Sequence, residues 1–198
     1  MAASASNTTT RQHPIWIQED NIYCNEVKLL DHLTRNPNYN ENDAASIIQQ
    51  INGHIKIYGL RYFWNSAGET MSTEAIRVLL HSIEHSQLSR LIIGQNIWYQ
   101  YTALHYSADN KGNEVIKVIL GSVSEEEGYW LLSITAYVRQ TQLHMPCYGG
   151  DTESVAVMLN HVNQDMRYSL LQMTSDFSDT PLNIALGLCH TGIMKVIN

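Results

Sequence analysis

Apolar residues recur at helical spacing along much of the chain. In AIRVLLHSI, residues 75–83, Ile76, Leu79, Leu80 and Ile83 fall three and four apart, and Val115, Val118, Ile119 and Val123 do the same in VIKVILGSV, residues 115–123. That spacing puts an apolar stripe on one face of each helix. Such short helices are marginal alone in water and cannot bury the stripe by themselves. Neighbours must cover it, so the pattern predicts an all-α fold of helices stacked on helices.

The pattern also repeats. TALHYSADNKGNEVIKVIL (102–120), TQLHMPCYGGDTESVAVML (141–159) and TPLNIALGLCHTGIMKVIN (180–198) align without a gap. One interval of 39 residues links Thr102, Thr141 and Thr180, and it carries Leu104 onto Leu143 and Leu182, and Val118 onto Val157 and Val196. A weaker copy, YFWNSAGETMSTEAIRVLL (62–80), matches in its second half at a step of 40. Further upstream, NEVKLLDHL (25–33) and NDAASIIQQI read as helices of a degenerate cap. Each unit therefore holds two helices joined by a short polar turn.

The segments between units repeat too, placing Leu91 with Ile92, Leu131 with Leu132, and Leu170 with Leu171 at matching positions. Ser124 followed by Glu127 is a capping-box pattern and predicts a short extra helix, with the acidic run Glu125, Glu126 and Glu127 meeting its dipole. After it, SITAYVRQ is rich in strand-favouring side chains and predicts an extended arm or hairpin leading into the next Thr.

TALHYSA and TPLNIA resemble the T-P-L-H-x-A signature of the ankyrin repeat, and EVIKVIL is similar to that repeat's second helix. The resemblance extends from about residue 60 to the C-terminus and is weaker in the N-terminal third. It implies an α-solenoid of stacked ankyrin-like helix pairs with short extra inter-repeat helices and a helical N-terminal cap. The implied organisation is a tail at 1–14, a capping repeat at 15–60, and an array at 61–198. The array divides at about 61–100, 101–139, 140–178 and an incomplete 179–198. The chain stops near the end of a second helix with no polar capping helix after it, which predicts either a fragment of a longer array, the favoured reading, or a truncated gene product with an exposed apolar end.

Two features depart from the family. The interval exceeds the usual period of about 33 residues, a difference assigned to the extra helix. The glycine usually found two residues before the Thr is replaced by Gln100, Arg139 and Ser178, which predicts open loops at the arm tips. The resemblance further implies that His105 hydrogen-bonds Thr102 and His144 hydrogen-bonds Thr141, each imidazole tying adjacent units together. Asn183 takes the place of His beside Thr180, and an amide still offers a donor and an acceptor. These residues are expected to be architectural.

Composition narrows the function. Twelve basic against 19 acidic residues give a net charge of −7, without the positive field that binds phosphate backbones, so nucleic acid is not an expected partner. Cys24, Cys147 and Cys189 are odd in number and widely spaced, which fits reduced thiols in the cytoplasm, with the nucleus also open to the chain. MAASASNTTTRQHP lacks the apolar stretch of about 7–15 residues of a signal peptide. No run approaches the roughly 20 apolar residues that cross a bilayer, so no membrane partner is expected.

Candidate chemistry is sparse. HSIEH places His81 and His85 four apart with Glu84 beside them, the residue types that a zinc-dependent hydrolase uses. The metalloprotease order is H-E-x-x-H, however, and no third ligand follows at a sensible distance. Cys147 falls in the register of Ala108 and reads as a buried, inert thiol, while Cys189 and His190 lack an acid to orient a base. No phosphate-binding glycine loop is present. Neither a catalytic residue, a metal, a cofactor nor a small-molecule substrate is expected.

Surface is what remains. In a stacked array the arms and the exposed side of the first helices line one face. The candidates there are Trp98, Tyr99, Tyr101, Asp109 and Asn110 in one unit, and Tyr137, Val138, Gln140 and Tyr148 in the next. Asp176, Phe177 and Asp179 follow in the third. Aromatic rings with a few acids suit protein recognition. The expected function is a non-catalytic protein–protein interaction module, an adaptor or scaffold. The alternative is an inhibitor that masks a transcription factor by holding a basic segment, consistent with the acidic charge.

Overall fold

The computed structural model describes residues 28–58, 72–83, 88, 92–95 and 99–197, with the backbone alone at 41 and 52–58. Cys24, Glu84, His85, Leu91 and Trp98 lie outside these residues, as do the expected tail at 1–14 and the first half of the weaker copy up to residue 71. The regular structure is helical. Residues 28–34 form a helical segment, followed by α1 (Glu41–Tyr58), α2 (Thr73–Ser82), α3 (Ala103–Asp109), α4 (Asn113–Gly121) and α5 (Glu125–Ser133). Next come α6 (His144–Gly149), α7 (Thr152–Asn160), α8 (Gln164–Gln172), α9 (Pro181–Gly187) and α10 (Thr191–Ile197). No described helix is long and apolar enough to cross a membrane.

Side-chain caps explain where many of these helices begin. Ser72 accepts from the Ala75 N–H, Asp151 from Ser154, Asn163 from Met166, and Thr180 from Asn183. Each such cap contributes about 1 kcal/mol. The capping box of Ser124 and Glu127 is formed in full and opens the extra helix α5. The Ser72 N–H also donates to Asp31 Oδ1 at 2.6 Å, which ties the segment at 28–34 to the start of α2.

The helices pack in three rows. Along the first, α3 packs on α6 and α6 on α9; along the second, α2 packs on α4, α4 on α7 and α7 on α10. The extra helices α5 and α8 make the third row, and α1 covers α2. Within the units α3 packs on α4, α6 on α7 and α9 on α10, so each of these six helices has partners both along and across the rows. The core runs through the middle, with Leu79, Leu104, Ile116, Ile119, Leu143, Cys147, Val155 and Met158 fully buried. In α4 the fully buried stripe is Ile116, Ile119 and Leu120, and the expected Val115, Val118 and Val123 are half-buried. The difference arises because α4 packs on α3 as well as on α2 and α7, which shifts its buried face onto Ile116, Ile119 and Leu120.

The third row has its own close fit. A Cβ on Gly128 would overlap the His161 ring, so α5 approaches the end of α7 at a residue without a side chain. There His161 Nε2–H donates to the Ser124 carbonyl at 3.3 Å, and the Asn163 N–H donates to Glu125 Oε1 at 2.9 Å.

Backbone angles carry the same period as the sequence. Gln100, Arg139 and Ser178 have φ of 55°, 54° and 64°, and Lys111, Gly150 and Cys189 have φ of 56°, 69° and 57°. The members of each trio are 39 residues apart. The arm tips therefore differ from the open loops expected of a chain lacking glycine there. Arg139 N–H donates to Ala136 O at 3.0 Å and Ala136 N–H to Gln140 O at 2.7 Å; Ser178 donates to Ser175 at 3.0 Å and Ser175 to Asp179 at 2.9 Å. A left-handed residue closes each turn whatever its side chain, at a cost of about 1–2 kcal/mol for a residue with a Cβ. The expected hairpin is present at one arm as an antiparallel bridge between Thr135 and Thr141.

Candidate functional site

The site is built from the start of the first helices outward. At α3, His105 Nδ1 lies 2.9 Å from Thr102 Oγ1 and accepts the Thr102 N–H at 3.2 Å, while His105 Nε2 reaches the Gln140 carbonyl at 3.3 Å. The arrangement recurs at α6, where His144 Nδ1 meets Thr141 Oγ1 at 2.8 Å and the Thr141 N–H at 3.0 Å, and Nε2 meets the Asp179 carbonyl at 3.1 Å. A carbonyl only accepts, so both rings carry their proton on Nε2 and are neutral. Burial pushes His105 down to about 4, with the Gln140 carbonyl pulling the other way and His144 adding to the fall. Burial likewise lowers His144, against the pull of its Asp179 and Thr141 partners. Each ring thus braces the arm of the following unit.

The third copy departs from this pattern. Asn183 is exposed and contributes its backbone N–H to Thr180 Oγ1 at 3.1 Å, so the amide does not stand in for the imidazole. Its shorter side chain leaves the turn held by the Thr cap alone.

Two glutamines that sequence reasoning passed over complete the bracing. Gln95 Nε2 donates to Gln100 O at 2.8 Å and to Thr135 O at 2.9 Å, joining one arm to the next. Gln142 is fully buried and its Nε2 donates to Leu131 O at 2.9 Å, lying 3.4 Å from Thr102 Oγ1; its Oε1 has no hydrogen-bond partner. The one available signal was that Gln142 is the polar member of a register otherwise held by Ala103 and Pro181.

The braced arms bond to each other directly. Tyr137 N–H donates to Tyr99 O, and Asp176 N–H donates to Val138 O, both at 2.9 Å. These bonds set the arms side by side along one edge of the stack. On that edge Tyr99, Tyr137 and Phe177 are 60%, 64% and 65% exposed.

The other candidates divide by what they touch. Tyr101 is half-buried, stacked on His105 with ring centres 5.4 Å apart, edge-on to Tyr106 at 5.3 Å, and its hydroxyl reaches Met145 Sδ at 3.8 Å. Its hydroxyl pKa is raised, first by burial and then by Asp109 and Tyr99, which places Asp109 in the ring's neighbourhood. Asp109, Asn110, Tyr148 and Asp176 are exposed, and Asn110 Nδ2 donates to Tyr106 O at the end of α3. Val138, Gln140 and Asp179 are half-buried, the last two with their carbonyls on the histidine braces.

The residues considered for chemistry are placed as follows. His81 Nδ1–H donates to the Arg77 carbonyl at 2.7 Å, one turn back in α2. Cys147 is fully buried and its thiol is pushed up to about 12, while Cys189 is exposed. Among the described residues no three His, Cys, Asp or Glu side chains are grouped to hold a metal ion.

No protein-family model matches the chain, and none of the curated proteins compared with it matches either.

Proposed function

We propose that the chain is an ankyrin-like repeat array, an α-solenoid of helix pairs with extra inter-repeat helices, and that it acts as a non-catalytic adaptor. It holds a partner protein along its row of arms. The observation that carries this reading is the pair of bonds from Tyr137 N–H to Tyr99 O and from Asp176 N–H to Val138 O. They fix three exposed aromatic side chains on one braced edge. Rings held on a braced edge lose little conformational freedom on binding, and Tyr and Trp dominate interface energetics. The recurring Thr and His braces, and the 39-residue interval of both left-handed turns, support the repeat assignment.

Affinity purification with the wild-type chain and with a Tyr99→Ala, Tyr137→Ala, Phe177→Ala triple variant tests the reading. All three side chains are more than half exposed, so the variant keeps its fold. Partners recovered by the wild type and lost by the folded variant support it. Equal recovery by both baits rules it out.

A further inference from the structure

We propose that α5 carries a docking site of its own, a hollow beside Trp130 that takes an apolar side chain from a basic segment of a partner protein. The hollow measures about 130 Å³ and is lined by Ile92, Ile93, Val123, Glu127, Trp130 and Leu131. That is close to the roughly 150 Å³ of an apolar cavity able to take a small hydrocarbon. Trp130 is 50% exposed at its edge. The site uses none of the arm aromatics, so it stands independently of the arm row.

The hollow traces to one residue. Val162, Met166 and Leu170 stand one 39-residue interval beyond Val123, Glu127 and Leu131. In that later unit the Asn163 side chain caps the helix, Met166 packs against the core, and Val162 and Leu170 are 3% and 0% exposed. In α5 the Met166 position is a glutamate, whose Oε2 turns back to accept the Ser124 N–H at 2.9 Å. A carboxylate turned to the cap does not fill the space that Met166 fills, and Val123 is left half-buried.

Charge selects the occupant. The helix opens with Glu125, Glu126 and Glu127, and the chain carries no Lys or Arg between Lys117 and Arg139. Arg167, on the neighbouring α8, donates to Val162 O and Asn160 Oδ1. Arg90, near Ile92 in sequence, lies outside the described residues. Glu126 is exposed and stands four residues before Trp130, on the same side of the helix. A partner's lysine or arginine laid over the Trp130 ring is therefore within reach of the Glu126 carboxylate, so that cation–π and ionic attraction act on one cation. An acidic segment would meet like charge at the same place.

A displayed library of random linear peptides, selected on the full chain and subtracted on its Glu127→Met variant, tests the site. Methionine is the residue that closes the same position in the later unit, so the variant should keep its fold and lose the hollow. The expected survivors carry a large apolar residue with a Lys or Arg within four positions of it. Their synthetic copies, titrated against the chain while the Trp130 indole N–H resonance is followed, should bind Glu127→Met, Trp130→Ala and Glu126→Lys more weakly by roughly tenfold or more. Glu127→Gln retains both the capping box and the hollow, and should bind roughly tenfold more tightly than Glu127→Met. Circular dichroism melts establish which variants are folded, and Trp130→Ala, at a half-exposed position, serves if Glu127→Met is not. No survivors, survivors without a base beside their apolar residue, or equal binding to the wild type and the folded variants overturns the proposal.

Discussion

His105 Nε2 and the carbonyl of Gln140 are 3.3 Å apart across 35 residues of sequence, and His144 meets Asp179 across the same separation. Each bond runs from the start of one first helix to the foot of the next arm. The imidazoles are therefore joints between units, and the arms inherit their rigidity.

Removing a joint should be costly. His144→Ala empties a fully buried site and leaves Thr141 without its partner, so urea unfolding should show a loss of about 2–4 kcal/mol. Thr141→Val keeps the volume and deletes only the hydroxyl bond, and should lose about 1 kcal/mol. Similar losses in the two variants would mean that packing contributes little at the joint.

Acidification should unfasten the same joints. The folded-state pKa of His105 lies near 4, below its ordinary value of 6.5, so the unfolded chain takes up the proton first. Stability tied to the neutral ring is fully present above about 6.5 and is lost as pH falls toward 4, on the order of 3 kcal/mol if the shift is complete. His144 is shifted in the same direction and adds to the loss. Melting temperature should fall between pH 7 and pH 5, before most carboxylates titrate, and His105→Gln should flatten that slope. A wild-type profile level across this window would contradict the assignment of neutral, braced rings.

The turns offer a stabilising substitution. Lys111 is exposed with φ of 56°, the position that Gly150 fills one interval later. Lys111→Gly should raise stability by about 1 kcal/mol by relieving the left-handed strain, whereas Ala156→Gly inside α7 should lower it by about 1 kcal/mol. Thermal denaturation of the two variants checks the contrast.

Much of this architecture was legible because stacking imposes periodicity. The interval linking Thr102, Thr141 and Thr180, the Ser124 and Glu127 box, and the small-residue register shared by Ala108 and Cys147 are all local or repeated signals. The left-handed turns were hidden because Gln100, Arg139 and Ser178 carry side chains that give no hint of positive φ. Tyr99 and Tyr101 looked alike in sequence, and a regular extended arm would put both on one side; the left-handed Gln100 between them breaks that alternation, and the structure stacks Tyr101 on His105 while Tyr99 stays exposed. Gln95 gave no signal and Gln142 only its polarity in the register of Ala103 and Pro181, since their acceptors at Thr135 and Leu131 become neighbours only in the fold. Asn183 misled because an amide has the right donors and acceptors without the reach of an imidazole.

The arm row itself can be read by amide hydrogen exchange at Tyr137 and Asp176. Both residues are exposed, so without the bonds to Tyr99 O and Val138 O their N–H groups would exchange freely. A braced edge predicts that both are slowed by about a hundredfold or more relative to free peptide, and that His105→Ala speeds Tyr137 most. Exchange of both amides at the rate of unstructured chain would contradict the account, since separate arms could not hold Tyr99, Tyr137 and Phe177 as one surface.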